Sequence, residues 1–179
     1  MNIEKRWIAA AAAAAPVLLN ACVYAEESKS VHNAATTIPA EDRISPIYGV
    51  IIPDRYREWE LVAVSYQTAF DEFRAILGNP LAVQAYRAGT LPFPDGAILA
   101  KRAWKRVPST EFPGAFVPGA ATTLQIMVKD STKYAASGGW GFGRFIDGKP
   151  VDEAQHRTCF ACHEARVRAH DFVFTRYAP

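Results

Sequence analysis

The segment RTCFACHEARVRAHDFVF, Arg157 to Phe174, constrains this chain more than any other. It contains Cys159-Phe160-Ala161-Cys162-His163, two thiols three residues apart followed at once by an imidazole. On a helix, residues three apart share a face, so a helical segment presents both thiols to one partner. Three chemistries use such a string: a covalently attached haem, a zinc site and a redox disulfide. Haem attachment needs two thiols that reach the vinyl groups on one porphyrin edge, and a histidine directly after the second thiol can swing under the ring to bind iron. Zinc needs four ligands, commonly in two separated pairs. Here it would have to borrow His156 or His170, which lack that spacing. A thioredoxin-like dithiol prefers a βαβ context, and the strand-rich chain offers none. The haem reading is the strongest of the three, with Cys159 and Cys162 as anchors and His163 as the iron ligand.

The N-terminus points the same way, because c-type haem is attached after export. Lys5 and Arg6 precede an apolar stretch from Ile8 to Leu19, and Val23-Tyr24-Ala25 precedes Glu26-Glu27. This is the pattern of a secretory signal over residues 1–25, and the apolar stretch is short for a membrane span. Leu19-Asn20-Ala21-Cys22 offers an alternative, cleavage before Cys22 and lipidation of its thiol, which would tether the protein to a membrane. Both alternatives place the mature domain outside the cytoplasm, in the periplasm or beyond. Cleavage after Ala25 leaves two cysteines, Cys159 and Cys162. A disulfide between them would close a tiny loop and stabilise little.

The formal charge of +2 provides no strong pull toward nucleic acid or an anionic membrane. Half of the residues are hydrophobic and 21% are charged, which suits one globular domain with a real core. Residues 26–47 read as a polar, flexible leader and residues 48–179 as the folded domain. Strands are expected at Trp59–Tyr66, Phe70–Leu77, Ala97–Val107, Ala121–Lys129, Trp140–Ile146 and Asp171–Tyr177. Asn79-Pro80 starts a short helix that Gly89 ends. Asp130-Ser131 caps another through Ala136, Pro108 to Gly119 reads as a loop, and the cysteine segment is helical to about Ala169. The fold class is α+β, a mainly antiparallel β-sheet with a few short helices and a C-terminal helix carrying the haem motif.

An electron-carrying cytochrome fills the sixth iron position with methionine or histidine. Met127 lies inside an expected strand and reads as core filler. His32 falls in the leader, and His156 and His170 lie too near the haem segment to cross to the other ring face. The expectation is an open distal position that admits a small molecule.

Further residues extend the pattern: Tyr56-Arg57 with Trp59, Phe73-Arg74, Asp95-Gly96 followed by Lys101, Val128-Lys129-Asp130-Ser131, Trp140 with Phe142, and Val173-Phe174-Thr175-Arg176. In this order, with the haem motif, they resemble the cytochrome P-460 family, whose relatives include the cytochromes c′-β. The resemblance runs from about Pro53 to Tyr177. It implies a homodimer of antiparallel-sheet subunits, each with one haem c and a five-coordinate iron. It also implies an oxidoreductase that oxidises hydroxylamine, a small nitrogen-containing substrate, and passes electrons to a soluble redox partner. In P-460 members a lysine is bonded to the porphyrin edge, and the spacing matches it to Lys101. A distal carboxylate serves there as the base. Gln125 stands in its place in this chain and cannot accept a proton, unless Glu72 or Glu111 substitutes. The c′-β relatives instead bind nitric oxide or carbon monoxide beneath an aromatic cap, for which Phe73, Phe142 and Phe145 are candidates. Arg74 is expected at a haem propionate or in the distal pocket.

Overall fold

The computed structural model describes residues 43–178. The readings placed on residues 1–42, including Cys22 and His32, lie outside them. Six strands form one antiparallel sheet in sequence order: β1 (Glu60–Gln67), β2 (Glu72–Gly78), β3 (Ile98–Pro108), β4 (Phe116–Lys129), β5 (Trp140–Ile146) and β6 (Lys149–Pro150). Two α-helices complete the domain, α1 (Pro80–Ala88) between β2 and β3 and α2 (Glu153–Val167) after β6. The fold is the α+β arrangement expected from the sequence.

Local chemistry explains the boundaries. Asn79 caps α1 through a bond from Ala82 N to its side chain, Pro80 occupies the first turn, and Gly89 ends the helix with φ 63°. The same Asn79 side chain accepts from Ile98 N and donates to Gly96 O, which ties the helix start to the start of β3. Asp147 and Gly148, with φ of 50° and 78°, make the tight turn from β5 to β6.

Three expectations need correction. The loop reading of Pro108–Gly119 fails at its end, because β4 begins at Phe116 and includes Pro118 and Gly119. Residues of β4 ahead of Leu124 have no partner on β5. Pro118 therefore sits on an open edge, beside register shifts against β3, where a missing N–H breaks no ladder bond. The helix expected after Asp130 is a turn followed by a short 3₁₀ segment, Ala135–Ser137. Asp130 does cap it, accepting from Thr132 N and Lys133 N. The final strand at Asp171–Tyr177 is absent. Asp171 and Phe172 adopt left-handed φ of 48° and 61°, which no strand allows, and the chain beyond runs irregularly.

Both faces of the sheet are covered. One carries Leu77, Ala100, Ile126 and Phe145, packed against Val50, Tyr56 and Tyr134. Ser45, three residues ahead of the expected start of the domain, is already buried, and its hydroxyl donates to Phe142 O at 3.2 Å. The other face carries Leu99, Trp140 and Phe142, packed against Ala82 and Ala85 of α1 and against Phe93 and Val173. The candidate site lies on this second face, under α2.

Candidate functional site

Strand alternation sends every second side chain to one face, and the ladder aligns four of them. Ile76 of β2 pairs with Lys101 of β3, Lys101 with Gln125 of β4, and Gln125 with Arg144 of β5. The neighbouring row runs Gly78, Leu99, Met127, Phe142. Apart from Gly78, these two rows line a cavity of about 810 Å³ that Cys159, Cys162, His163 and Arg166 of α2 also bound. Arg74, Phe70 and the C-terminal residues Val173 to Arg176 also line it.

Helix α2 starts at an Asp152 cap, whose carboxylate accepts from Gln155 N at 2.8 Å. Of its fifteen residues only His156 is buried, at 0% exposure. The His156 Nδ1 lies 2.9 Å from the Asp152 carbonyl, so this nitrogen carries the proton. Nε2 then accepts from Arg144 N at 3.1 Å. With both ring nitrogens engaged, His156 is a clamp between α2 and β5, not a metal ligand. One turn on, Cys159 is half-buried and Cys162 exposed, both as free thiols. Among the described residues, no three His, Cys, Asp or Glu side chains group as a metal site.

His163 is the imidazole that lines the cavity. Its Nδ1 lies 2.7 Å from the Phe172 carbonyl oxygen, which can only accept, so Nδ1 carries the proton and Nε2 has a free lone pair. Phe142 and Phe174 pack edge-on against the ring, with centroids at 5.0 and 4.9 Å. Burial holds the imidazole below its ordinary pKa, which favours the neutral, ligating form. Burial raises Cys159, countered by Arg144 and Lys101.

Lys101 carries the largest perturbation in the cavity. Burial, followed by repulsion from Arg74, pulls its amine down from 10.5 to about 8. Arg74 and Arg144 each have a buried Nε without a hydrogen-bond partner. Arg74 is otherwise held by Glu72, with Nη2 3.3 Å from the carboxylate and side chains 19% and 12% exposed.

The structure thus places Lys101, Gln125, Arg74, Cys159, Cys162 and His163 around one cavity. Glu72 is held beside it through Arg74, whereas Glu111 is exposed in the β3–β4 loop. The aromatic cap is not assembled as expected. Phe145 is buried on the opposite face of the sheet, Phe73 points away from the cavity against Tyr66, and Phe142 packs on His163. Met127 packs partly buried against the core beside Phe142, as core filler would, and also lines the cavity. Sequence reasoning missed Arg144, Phe70 and the Phe172 carbonyl. Arg144 was accessible to it, since Trp140, Phe142 and Arg144 alternate on one face of β5; the other two depend on turns.

A haem c fits these residues. Two thiols sit on one helix, apolar Ile76, Leu99, Met127 and Phe142 would suit a hydrophobic macrocycle, and the partnerless Nε atoms of Arg74 and Arg144 would suit its carboxylates. The volume lies within the roughly 300–1,000 Å³ usual for small-molecule sites. A family model described as Cytochrome P460 matches residues 53–175. No curated protein matches the chain.

Proposed function

The chain belongs to the cytochrome P460 family, a family that binds haem c through cysteines, and on that premise we propose that it oxidises hydroxylamine and delivers the electrons to a soluble acceptor. The observation that carries this reading is Lys101: a buried amine lowered to about 8, in register with Gln125, facing the two thiols and His163 across one cavity. Haem c, when bound, supplies a ferric Lewis acid and an electron sink.

The remaining tasks fall to the chain. Cys159 and Cys162 anchor the ring and His163 offers Nε2 to iron. Lys101, neutral in about half of the molecules near pH 8, is the nucleophile suited to a bond with the porphyrin edge. Arg74 and Arg144 hold the acidic side groups of the ring. Gln125 can orient a bound substrate by hydrogen bonds but cannot take its proton. Glu72, whose carboxylate lies 3.3 Å from Arg74 Nη2, is the carboxylate beside the cavity to which we assign that proton. Leu99, Met127 and Phe142 exclude water from the floor.

A homodimer is part of the same reading. The open sheet leaves β1 as an edge strand. Leu61, Val64 and Tyr66 of β1 and Phe70 beyond it are exposed at 42–69%. An apolar edge of this kind supports pairing with a second copy as a homodimer. Export to the periplasm on residues 1–25, or tethering through a lipidated Cys22, remains the proposed location, in keeping with haem attachment. Among the described residues no helix is long and apolar enough to cross a membrane. Nitric oxide binding without turnover is the less supported alternative, since Phe73 and Phe145 do not cap the cavity.

The test is anaerobic mixing of the haem-loaded protein with hydroxylamine and an artificial oxidant. Stoichiometric consumption of both is expected. No consumption, together with tight nitric oxide binding, would replace this reading with the gas-binding one.

A further inference from the structure

Behind His163, outside the cavity lining, lies a buried ion pair that the site described so far does not use. Lys129 is the last residue of β4, and its side chain is 5% exposed; Asp171 follows the 3₁₀ turn after α2, and its side chain is 8% exposed. Lys129 Nζ lies 2.7 and 3.0 Å from the two Asp171 carboxylate oxygens and 3.2 Å from Gly138 O. It also lies 5.1 Å from the Trp140 ring centroid. The second carboxylate oxygen accepts from Phe93 N at 2.8 Å. Burying two charges is costly unless their bonding capacity is met, and here it is met on both sides.

The next residue along is Phe172, whose carbonyl accepts the proton of His163 Nδ1. Phe172 holds a φ of 61°, uncommon for a bulky side chain. Its backbone N donates to Val167 O at 3.0 Å. Its ring lies on Gly138, where a Cβ would overlap it. Lys129 therefore grips both sides of this turn, Asp171 through the carboxylate and Gly138 through its carbonyl. Only one peptide unit separates the Asp171 anchor from the acceptor of His163.

We propose that the Lys129–Asp171 pair is a positioning device for His163. By fixing the turn at Asp171–Phe172 it sets the angle and length of the Nδ1–H···O=C bond, and through it the donor strength of Nε2. Partners of a ligating imidazole orient its ring and raise its basicity. A firmly held acceptor polarises Nδ1–H, makes Nε2 the stronger donor and favours ferric iron. Loosening the turn weakens that donation and favours the ferrous state.

The inference rests on His163 as the iron ligand and not on hydroxylamine turnover. Its test uses the haem-loaded protein with two readouts, the iron–histidine stretching band of the ferrous form by resonance Raman and the midpoint potential by spectroelectrochemistry. The double variant Lys129→Met/Asp171→Asn removes both charges together. It is expected to shift the band to lower frequency and the potential upward, while Lys129→Arg keeps both near wild type. Should the double variant fail to mature, Asp171→Asn alone, which keeps the acceptor for Phe93 N, is read in the same way. An unchanged band and potential, with only a lowered melting temperature, would make the pair merely structural and overturn the inference. A wild-type protein without any iron–histidine band would overturn the ligand assignment and this inference with it.

Discussion

Lys101 and Gln125 face one another directly across the β3–β4 ladder, and both line the cavity under α2. One of the two can exchange a proton near neutral pH and the other cannot. That asymmetry makes Lys101 the member of the pair with an exchangeable charge and leaves Gln125 as a neutral hydrogen-bonding group.

The first prediction concerns the amine. Only its neutral form has a lone pair to donate, and burial holds the pKa near 8, below the ordinary 10.5. Joining Lys101 to a porphyrin carbon replaces one N–H and one ring C–H bond by a C–N bond and releases two protons and two electrons. With a two-electron oxidant such as hydrogen peroxide supplied, bond formation should therefore accelerate as pH rises toward about 8 and level off above it, falling roughly tenfold per unit on the acid side. Peptide mass spectrometry at timed intervals should show the Lys101 peptide joined to haem in addition to the Cys159–Cys162 peptide. A rate that keeps climbing to pH values near 10 would mean that burial does not set this group.

A second prediction assigns the proton acceptor. Glu72→Gln should lower hydroxylamine turnover by roughly 10²-fold or more, the usual weight of general base catalysis. Gln125→Glu in that background should recover much of it, because the new carboxylate enters the cavity that Gln125 lines. Steady-state rates of the single and double variants decide the matter. Full activity in Glu72→Gln would remove Glu72 from the mechanism.

The third prediction concerns how α2 is held. His156 bonds Asp152 O and Arg144 N from complete burial. His156→Leu leaves the Arg144 N–H without its acceptor and should cost about 1–3 kcal/mol. Denaturant midpoints of the haem-loaded proteins would report it, and an unchanged midpoint would count against the clamp.

Gly138→Ala is predicted to be worse tolerated than most glycine changes. The position has φ 67°, and an added Cβ would meet the Phe172 ring. Backbone strain and displacement of the ring together should cost roughly 2 kcal/mol or more, read as a loss of thermal stability.

Much of this was legible in the chain. Asn79-Pro80 and Gly89 bracket α1 because caps are local chemistry, whereas Lys101 stands opposite Gln125 through the β3–β4 register, which alternation within either strand does not supply. Trp104 is half-buried, with the Arg102 guanidinium carbon 4.5 Å from its ring centroid, so the large aromatic of β3 does not mark a single core face. The final segment misled for a different reason. Val173, Phe174 and Tyr177 have strand composition, but the Lys129–Asp171 pair and the left-handed turn come from tertiary contacts that composition does not encode. Pro118 likewise reads as a loop until the absence of a β5 neighbour at its level is known.

Each strand pairs only with its neighbour in sequence. The sheet can therefore zip up hairpin by hairpin as the polypeptide emerges, with little loop-closure entropy to overcome at any step. The segment bearing the two thiols arrives after every strand it must lie against, so the platform for the prosthetic group can be ready before the group is joined to it.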